Sequence, residues 1–332
     1  MAAVETSGAA HRLRDDAIAV WREWLVVVHK PRRLAISKRI SRANANLAAG
    51  PSFSLALRYD GNIACWGDNY HGRAPPDGVQ GDFVMVAAGN FHAVALRRDG
   101  SIACWGNNLD GRAPPDGIQG DFVMVAAGNF HTVALRRDGS IVCLGRNTNG
   151  QAPPDGIQGD FVAIAAGTDH SLALQRDGNI ACWGRNTSGQ APPDGIQGDF
   201  VAIAAGVCHS LAIRRDGSIA CWGYNYDGRA PPDGIQGDFV AIAAGFAHSL
   251  ALRRDGSIAC WGWNEDGQAP PDGIQGDFVA IAAGHFHSLA LRRDGSIACW
   301  GSYDCGEAPT PEHNNYATLS ANFPFMTDVH IL

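Results

Sequence analysis

Six histidines, His92, His131, His170, His209, His248 and His287, stand 39 residues apart. Seven cysteines, Cys65, Cys104, Cys143, Cys182, Cys221, Cys260 and Cys299, keep the same interval. Imidazole and thiolate are the groups of metal centres, general-base catalysis and nucleophilic attack. Spacing decides which of these chemistries is open. Zinc sites draw ligands from close pairs such as C-x-x-C, and the sequence has none. It also lacks a G-x-S-x-G elbow, a phosphate loop and H-E-x-x-H. The carboxylates recur at turn positions of every copy, whereas catalysis needs a one-off constellation in a pocket. One histidine per copy cannot converge with the others on one centre. These residues therefore predict no catalytic group, no metal and no cofactor. The histidines are expected to hydrogen-bond within their own repeat unit. The cysteines are expected to be free, buried thiols of a reducing compartment.

The copies that carry these residues define the elements. HSLALRRDGSIACWG stands at 248–262 and again at 287–301. Trp66, Trp105, Trp183, Trp222, Trp261 and Trp300 fall on the same 39-residue ruler, with Leu144 in the missing slot. Ala-Ala-Gly recurs seven times, ending at Gly50, Gly89, Gly128, Gly167, Gly206, Gly245 and Gly284. Ala-Pro-Pro-Asp-Gly recurs six times, and a degraded seventh copy reads APTPE at Ala308–Glu312. Phe200–Gly206, FVAIAAG, is short, apolar and β-branched. HSLAI, R-R-D-G and SIACWG follow it. Asp-Gly between two such runs predicts a tight hairpin, and Pro-Pro-Asp-Gly stops a strand and turns the chain. With Asp99-Gly100 as a two-residue turn, Val94 would face Trp105 and His92 would face Asn107. The period is slightly short for four-stranded propeller blades. Both faces of FVAIAAG are apolar, as for a sheet sandwiched between neighbours. The prediction is an all-β fold, a seven-bladed β-propeller over 44–312, closed so that no long edge is exposed.

The ends differ from this body. Residues 1–47 carry a net charge of +5 and the remainder −12. An acidic body without lysine is a poor clamp for phosphates, so no nucleic acid is expected on the propeller. Ile18, Trp21, Leu25 and Val28 follow helical spacing up to Pro31. Residues 1–43 thus read as a basic segment with an amphipathic helix, and 313–332 as a C-terminal tail that has lost the repeat. No stretch is long enough to span a bilayer, and acidic Asp15 and Asp16 with Arg22 and Glu23 break any signal-peptide pattern. A cytoplasmic or nuclear monomer is expected.

The line G-x-x-H-S-L-A-L-x-x-D-G-x-I-x-C-W-G-x-N-x-x-G resembles the repeat of the regulator of chromosome condensation family, over about four-fifths of the chain. The resemblance implies the seven-bladed ring. It also brings several activities. The family includes an exchange factor for a small GTPase, a plant ultraviolet-B photoreceptor, β-lactamase-inhibiting propellers and modules attached to ubiquitin ligases. The photoreceptor uses tryptophans in G-W-R-H-T segments; here the first position holds Asn90, Asn129, Thr168, Val207, Phe246 and His285, none of them Trp. No insertion breaks the blades as a wedge. Fold does not choose among the rest.

Variation between the copies gathers in two places. One is the pair before each histidine, and the other is the segment after Trp-Gly. Hairpin geometry brings both to the same end of each blade. That end collects Tyr70, Phe91, Phe130, Tyr224, Tyr226, Phe246, Trp263 and Phe286 among Asn, Asp, Glu and Arg. Aromatic anchors among polar groups are the composition of a protein-binding surface. The expected function is a non-enzymatic interaction scaffold holding a protein partner on this face. Exchange-factor activity toward a small GTPase and a fragment of a larger ubiquitin ligase are the alternatives. The paired arginines before the hairpin turn, such as Arg97/Arg98 and Arg253/Arg254, sit at the opposite end and read as local charge balance.

Overall fold

The computed structural model describes residues 47–302 and Gly306. The expected N-terminal helix and the tail from residue 313 lie outside the described residues. Each copy forms one antiparallel sheet. In the fifth, the inner strand is Phe200–Ala205, the middle strand His209–Arg214 and the outer strand Ile219–Gly223. All seven sheets have this order, from Leu47–Ala49, Phe53–Leu57 and Ile63–Gly67 to Phe278–Ala283, His287–Arg292 and Ile297–Gly301. Together they make the expected seven-bladed β-propeller.

Two details of the blade differ from expectation. The fourth strand shrinks to a single bridge. Ile219 and Ile235 exchange N–H···O bonds of 2.8 and 2.9 Å, and the Pro-Pro-Asp-Gly turn before Ile235 cannot extend the ladder because proline lacks an N–H. The hairpin register also moves by one. Gly100 N–H donates to Arg97 O at 3.0 Å and Arg97 N–H to Ser101 O at 2.8 Å, with Gly100 at φ +89°. This is a three-residue loop closed by a left-handed glycine, not a two-residue turn. Val94 therefore faces Cys104, Ala93 faces Trp105 and His92 faces Gly106.

The core lies between blades. Leu211, Ile213 and Cys221 of the fifth blade share one buried cluster with Phe239, Ile242 and Ala251 of the sixth. On the axis the blades approach closely. A Cβ on Gly128 would sit 2.4 Å from Gly167 O and 2.3 Å from His131 Cε1. The same approach links Gly50 to Gly89, runs through the remaining copies, and returns from Gly284 to Gly50 O. These seven glycines line one axial cavity of about 70 Å³, to which every blade contributes. The ring is thus closed within the described residues.

The histidines hold the blades to one another, which corrects the expectation of bonds within each unit. His209 Nε2 lies 2.9 Å from Ser249 Oγ of the next blade. Ser249 Oγ donates to Arg229 O at 3.0 Å, and Trp261 Nε1 donates to the same carbonyl at 2.9 Å. Since the serine proton goes to the carbonyl, Ser249 accepts from the histidine, which fixes the Nε2–H tautomer. Nδ1 is left buried and unpartnered in all six histidines. Burial holds these imidazoles neutral, with His92, His170, His248 and His287 pushed down to about 3 and His131 to about 4. The exception occurs on both sides of one junction. The first blade has Phe53 in the histidine slot, and the second has Ala93 in the serine slot; both are buried in one cluster.

Candidate partner-binding face

Each blade ties its two variable segments together through the backbone. Asn107 N–H donates to Phe91 O, Arg146 N–H to Phe130 O, Tyr224 N–H to Cys208 O and Trp263 N–H to Ala247 O, at 2.8–2.9 Å. Both segments therefore sit at one end of the sheet, and the ring sets these ends on one face. The shifted register leaves this arrangement intact, because both strands still end there.

The eight sequence-selected aromatics fall into two groups on that face. The first comes from blades one to three. Phe91 and Phe130 stack at 5.5 Å, and His71 meets Phe91 edge-on at 6.4 Å. Tyr70 packs on His71 at 4.1 Å and is 67% exposed. Arg146 lies 4.2 Å over Phe130. The second group comes from blades five to seven. Phe246 contacts Trp263, His285 and Phe286 at 6.4, 5.2 and 5.4 Å, and Trp263 meets Phe286 edge-on at 5.9 Å. Tyr224 and Tyr226 stack at 6.4 Å, with Tyr226 85% exposed. Phe91, Phe130, Phe246, Trp263 and Phe286 are half-buried. A polar sector on blades three and four separates the groups. There Arg185 stands 3.9 Å from Asp169 and Arg146 3.5 Å from Asp110. Partial burial raises the Asp169 carboxyl above the ordinary carboxylate range, against the pull of Arg185 and Arg146.

Three buried arginines under the aromatics were missed in the sequence. Arg73, Arg112 and Arg229 are 5%, 2% and 6% exposed. Arg73 pairs with Asp68 at 2.6 Å and Arg112 with Asp110 at 2.7 Å; Arg229 pairs with Asp227. Two of the guanidinium groups lie against rings of the face, Arg112 at 5.2 Å from Phe130 and Arg229 at 5.1 Å from Tyr224, while Arg73 lies 5.3 Å from the buried Phe53 ring. Arg73 and Arg229 also donate to Asn90 O and Phe246 O, at 2.8 and 3.0 Å. Only a partial signal was present in the sequence. Asp precedes Arg by two residues in Asp110/Arg112 and Asp227/Arg229, but His71 precedes Arg73 and Asp266 precedes Gln268.

The opposite end has a different character. Arg98, Arg137, Arg176, Arg215, Arg254 and Arg293 pair with Asp82, Asp121, Asp160, Asp199, Asp238 and Asp277 at 2.6–2.9 Å. The preceding arginine lies over a phenylalanine, as Arg97 over Phe83 at 5.4 Å. Six of the seven blades thus carry an Arg–Asp pair on this rim, and the first has Tyr59 in the arginine position. Among the described residues, no three His, Cys, Asp or Glu side chains group as metal ligands, and no helix is long and apolar enough to cross a membrane.

A closed ring of seven blades, with the two most variable segments of each copy at one end, defines a repeat propeller. The regulator of chromosome condensation (RCC1) repeat matches residues 45–73, 83–112, 122–151, 161–190, 200–229, 239–268 and 278–307. The chain belongs to this repeat family. Its fold is similar to the ectodomain of the Physcomitrella patens receptor kinase CR4, at 26% identity and a TM-score of 0.63, over 77% of this chain and 73% of that one. It is similar to the CRINKLY ectodomain of Arabidopsis thaliana ACR4, at 23% identity and a TM-score of 0.64, over 80% and 98%. Saccharomyces cerevisiae Prp20p shares the fold at 20% identity and a TM-score of 0.60, over 83% and 84%; that structure is described with its binding to Gsp1p and histones. No curated protein matches the sequence.

Proposed function

We propose that the chain is a non-enzymatic scaffold, a monomer that holds a protein partner on its aromatic face. One observation carries this reading. The residues that vary between otherwise near-identical copies are the ones whose rings meet, above all Phe246, Trp263 and Phe286 at 5.4–6.4 Å. Solvent loops drifting freely would not gather aromatic side chains into adjoining half-buried positions. Half-buried aromatics ringed by arginine and carboxylate match the anatomy of binding hot spots. A relative fold, Prp20p, is described as binding proteins. The eight described cysteines are free, and seven are buried, which fits a reducing compartment, cytoplasm or nucleus.

The test is affinity capture from cell extract with the intact chain beside a variant carrying Tyr224→Ser, Tyr226→Ser, Phe246→Ser, Trp263→Ser and Phe286→Ser. Circular dichroism verifies that both are folded. A partner held by the intact chain and lost from the folded variant supports the reading. Equal capture by both contradicts it. Accelerated nucleotide release from a small GTPase by the intact chain would instead identify an exchange factor.

A further inference from the structure

We propose that the junction of blades six and seven on the aromatic face receives an arginine side chain from a protein partner, stacked on Trp263 and Phe286 and paired with Glu265 and Asp266. This site rests on the partner-binding reading of the face and adds the chemistry of the partner. The protein already contains the filled version of it. At the junction of blades two and three, the Arg146 guanidinium lies 4.2 Å over the Phe130 ring and 3.5 Å from the Asp110 carboxylate. Four repeats further on, Phe286 stands in the place of Phe130 and Asp266 in that of Asp110, but Ser302 stands in the place of Arg146. Ring and carboxylate are kept, and the cation between them is gone.

The cation beneath is gone as well. Asp110 and Asp227 pair with the buried Arg112 and Arg229. Asp266 has Gln268 in that position, whose Oε1 accepts the Asp266 N–H at 3.1 Å. Glu265 adds a second carboxylate where blade two has Leu109, and both acids are exposed. Among the described residues, neither takes part in an ion pair. Arg229 donates to Phe246 O beneath this patch, but its charge is matched by Asp227, as that of Arg73 is by Asp68. Two unmatched negative charges therefore stand beside the half-buried rings. Trp263 meets Phe286 edge-on at 5.9 Å and Phe246 lies 5.4 Å from Phe286. The rings pack on one another and leave a shallow surface, not a gap between them. A guanidinium suits such a surface. It is planar, stacks on a ring, is more weakly hydrated than an ammonium, and still reaches a carboxylate with its N–H fork.

The experiment uses the full chain carrying fluorotryptophan, with the Trp263 resonance assigned through Trp263→Phe. N-acetylarginine methylamide is titrated in at low salt and followed by fluorine NMR, beside its neutral isostere N-acetylcitrulline methylamide and the lysine analogue. A saturable shift at Trp263 is expected with the arginine compound, a weaker one with lysine and none with citrulline. Binding is expected to weaken severalfold in a Glu265→Gln, Asp266→Asn variant. It is expected to vanish in Ser302→Arg, which supplies within the chain the arginine that blade three already has. Unchanged Trp183 and Trp222 resonances verify that each variant is folded. No saturable shift, an equal response to citrulline, tighter binding of lysine, or undiminished binding in either variant would overturn the proposal. None of these readouts needs a partner. Capture that depends on the aromatic rings, without arginine binding, would sink this site and leave the binding face standing.

Discussion

His287 Nε2 lies 2.9 Å from Ser54 Oγ, a hydrogen bond joining residues 233 positions apart. The last blade thus meets the first through the bond that joins His92 to Thr132, His131 to Ser171, His170 to Ser210, His209 to Ser249 and His248 to Ser288, at 2.8–3.0 Å. Closure needs no special device. It reuses the joint between successive copies, and the whole aromatic face depends on that joint for its shape.

The joint predicts acid sensitivity. The histidines titrate near 6.5 when unfolded, but burial lowers them in the fold, four of them to about 3. Above pH ~6.5 both states are neutral and the full stability is present. Below it the unfolded chain takes up protons that the folded ring refuses, so stability falls steadily toward pH ~3. Each histidine contributes up to about 1.4 kcal/mol per pH unit in that window. Urea midpoints are expected to drop steeply between about pH 6.5 and about pH 4. A flat profile across that range would contradict the neutral, unpartnered Nδ1.

The Phe53/Ala93 junction predicts a compensating pair. His209→Phe alone leaves Ser249 without its donor, and Ser249→Ala alone orphans the imidazole; each is expected to cost about 1–3 kcal/mol. The double variant copies a junction the protein already contains. It is expected to be more stable than the two single losses added together, with a coupling of about 1 kcal/mol or more by denaturant titration. Simple additivity would show that the histidine and serine do not act as a pair.

Axial glycines and loop glycines should separate cleanly. Gly128→Ala drives a Cβ into Gly167 O and the His131 ring and is expected to cost more than about 3 kcal/mol. Gly150→Ala meets nothing within 4 Å and has only the strain of φ +80°, about 1–2 kcal/mol. Thermal melts of the two variants check the ranking, and equal losses would refute the close axial approach.

Thiol chemistry reports the blade cores. Burial pushes Cys65, Cys104, Cys143, Cys182, Cys221, Cys260 and Cys299 up to about 12. Half-buried Cys208 is expected to be alkylated first among the described cysteines, and the seven others only on unfolding. Rapid labelling of Cys221 in the native chain would contradict its position between blades.

Blade number, strand identity and the two ends of each blade were readable because the copies align against one another. Register was not. Asp-Gly marks a hairpin, but whether the loop holds two residues or three depends on the Arg97–Ser101 pairing, which composition does not express. The histidine role was misread because its acceptor lies in the next copy, not its own. The clue was the paired exception, Phe53 with Ala93, offset by 40 positions. The aromatics of the face were legible as departures from the repeat. The arginines beneath them were not, since an arginine type alone does not express burial and only the folded ring encloses Arg112 and Arg229.

The most direct test of the binding face is amide hydrogen exchange on the captured complex beside the free chain. Protection is predicted over 90–91, 129–130, 224–226, 246–247, 263–267 and 285–286. Protection confined to the hairpin turns around Asp99, Asp216 and Asp255, with those loops unchanged, would put the partner on the ion-paired rim and contradict the account.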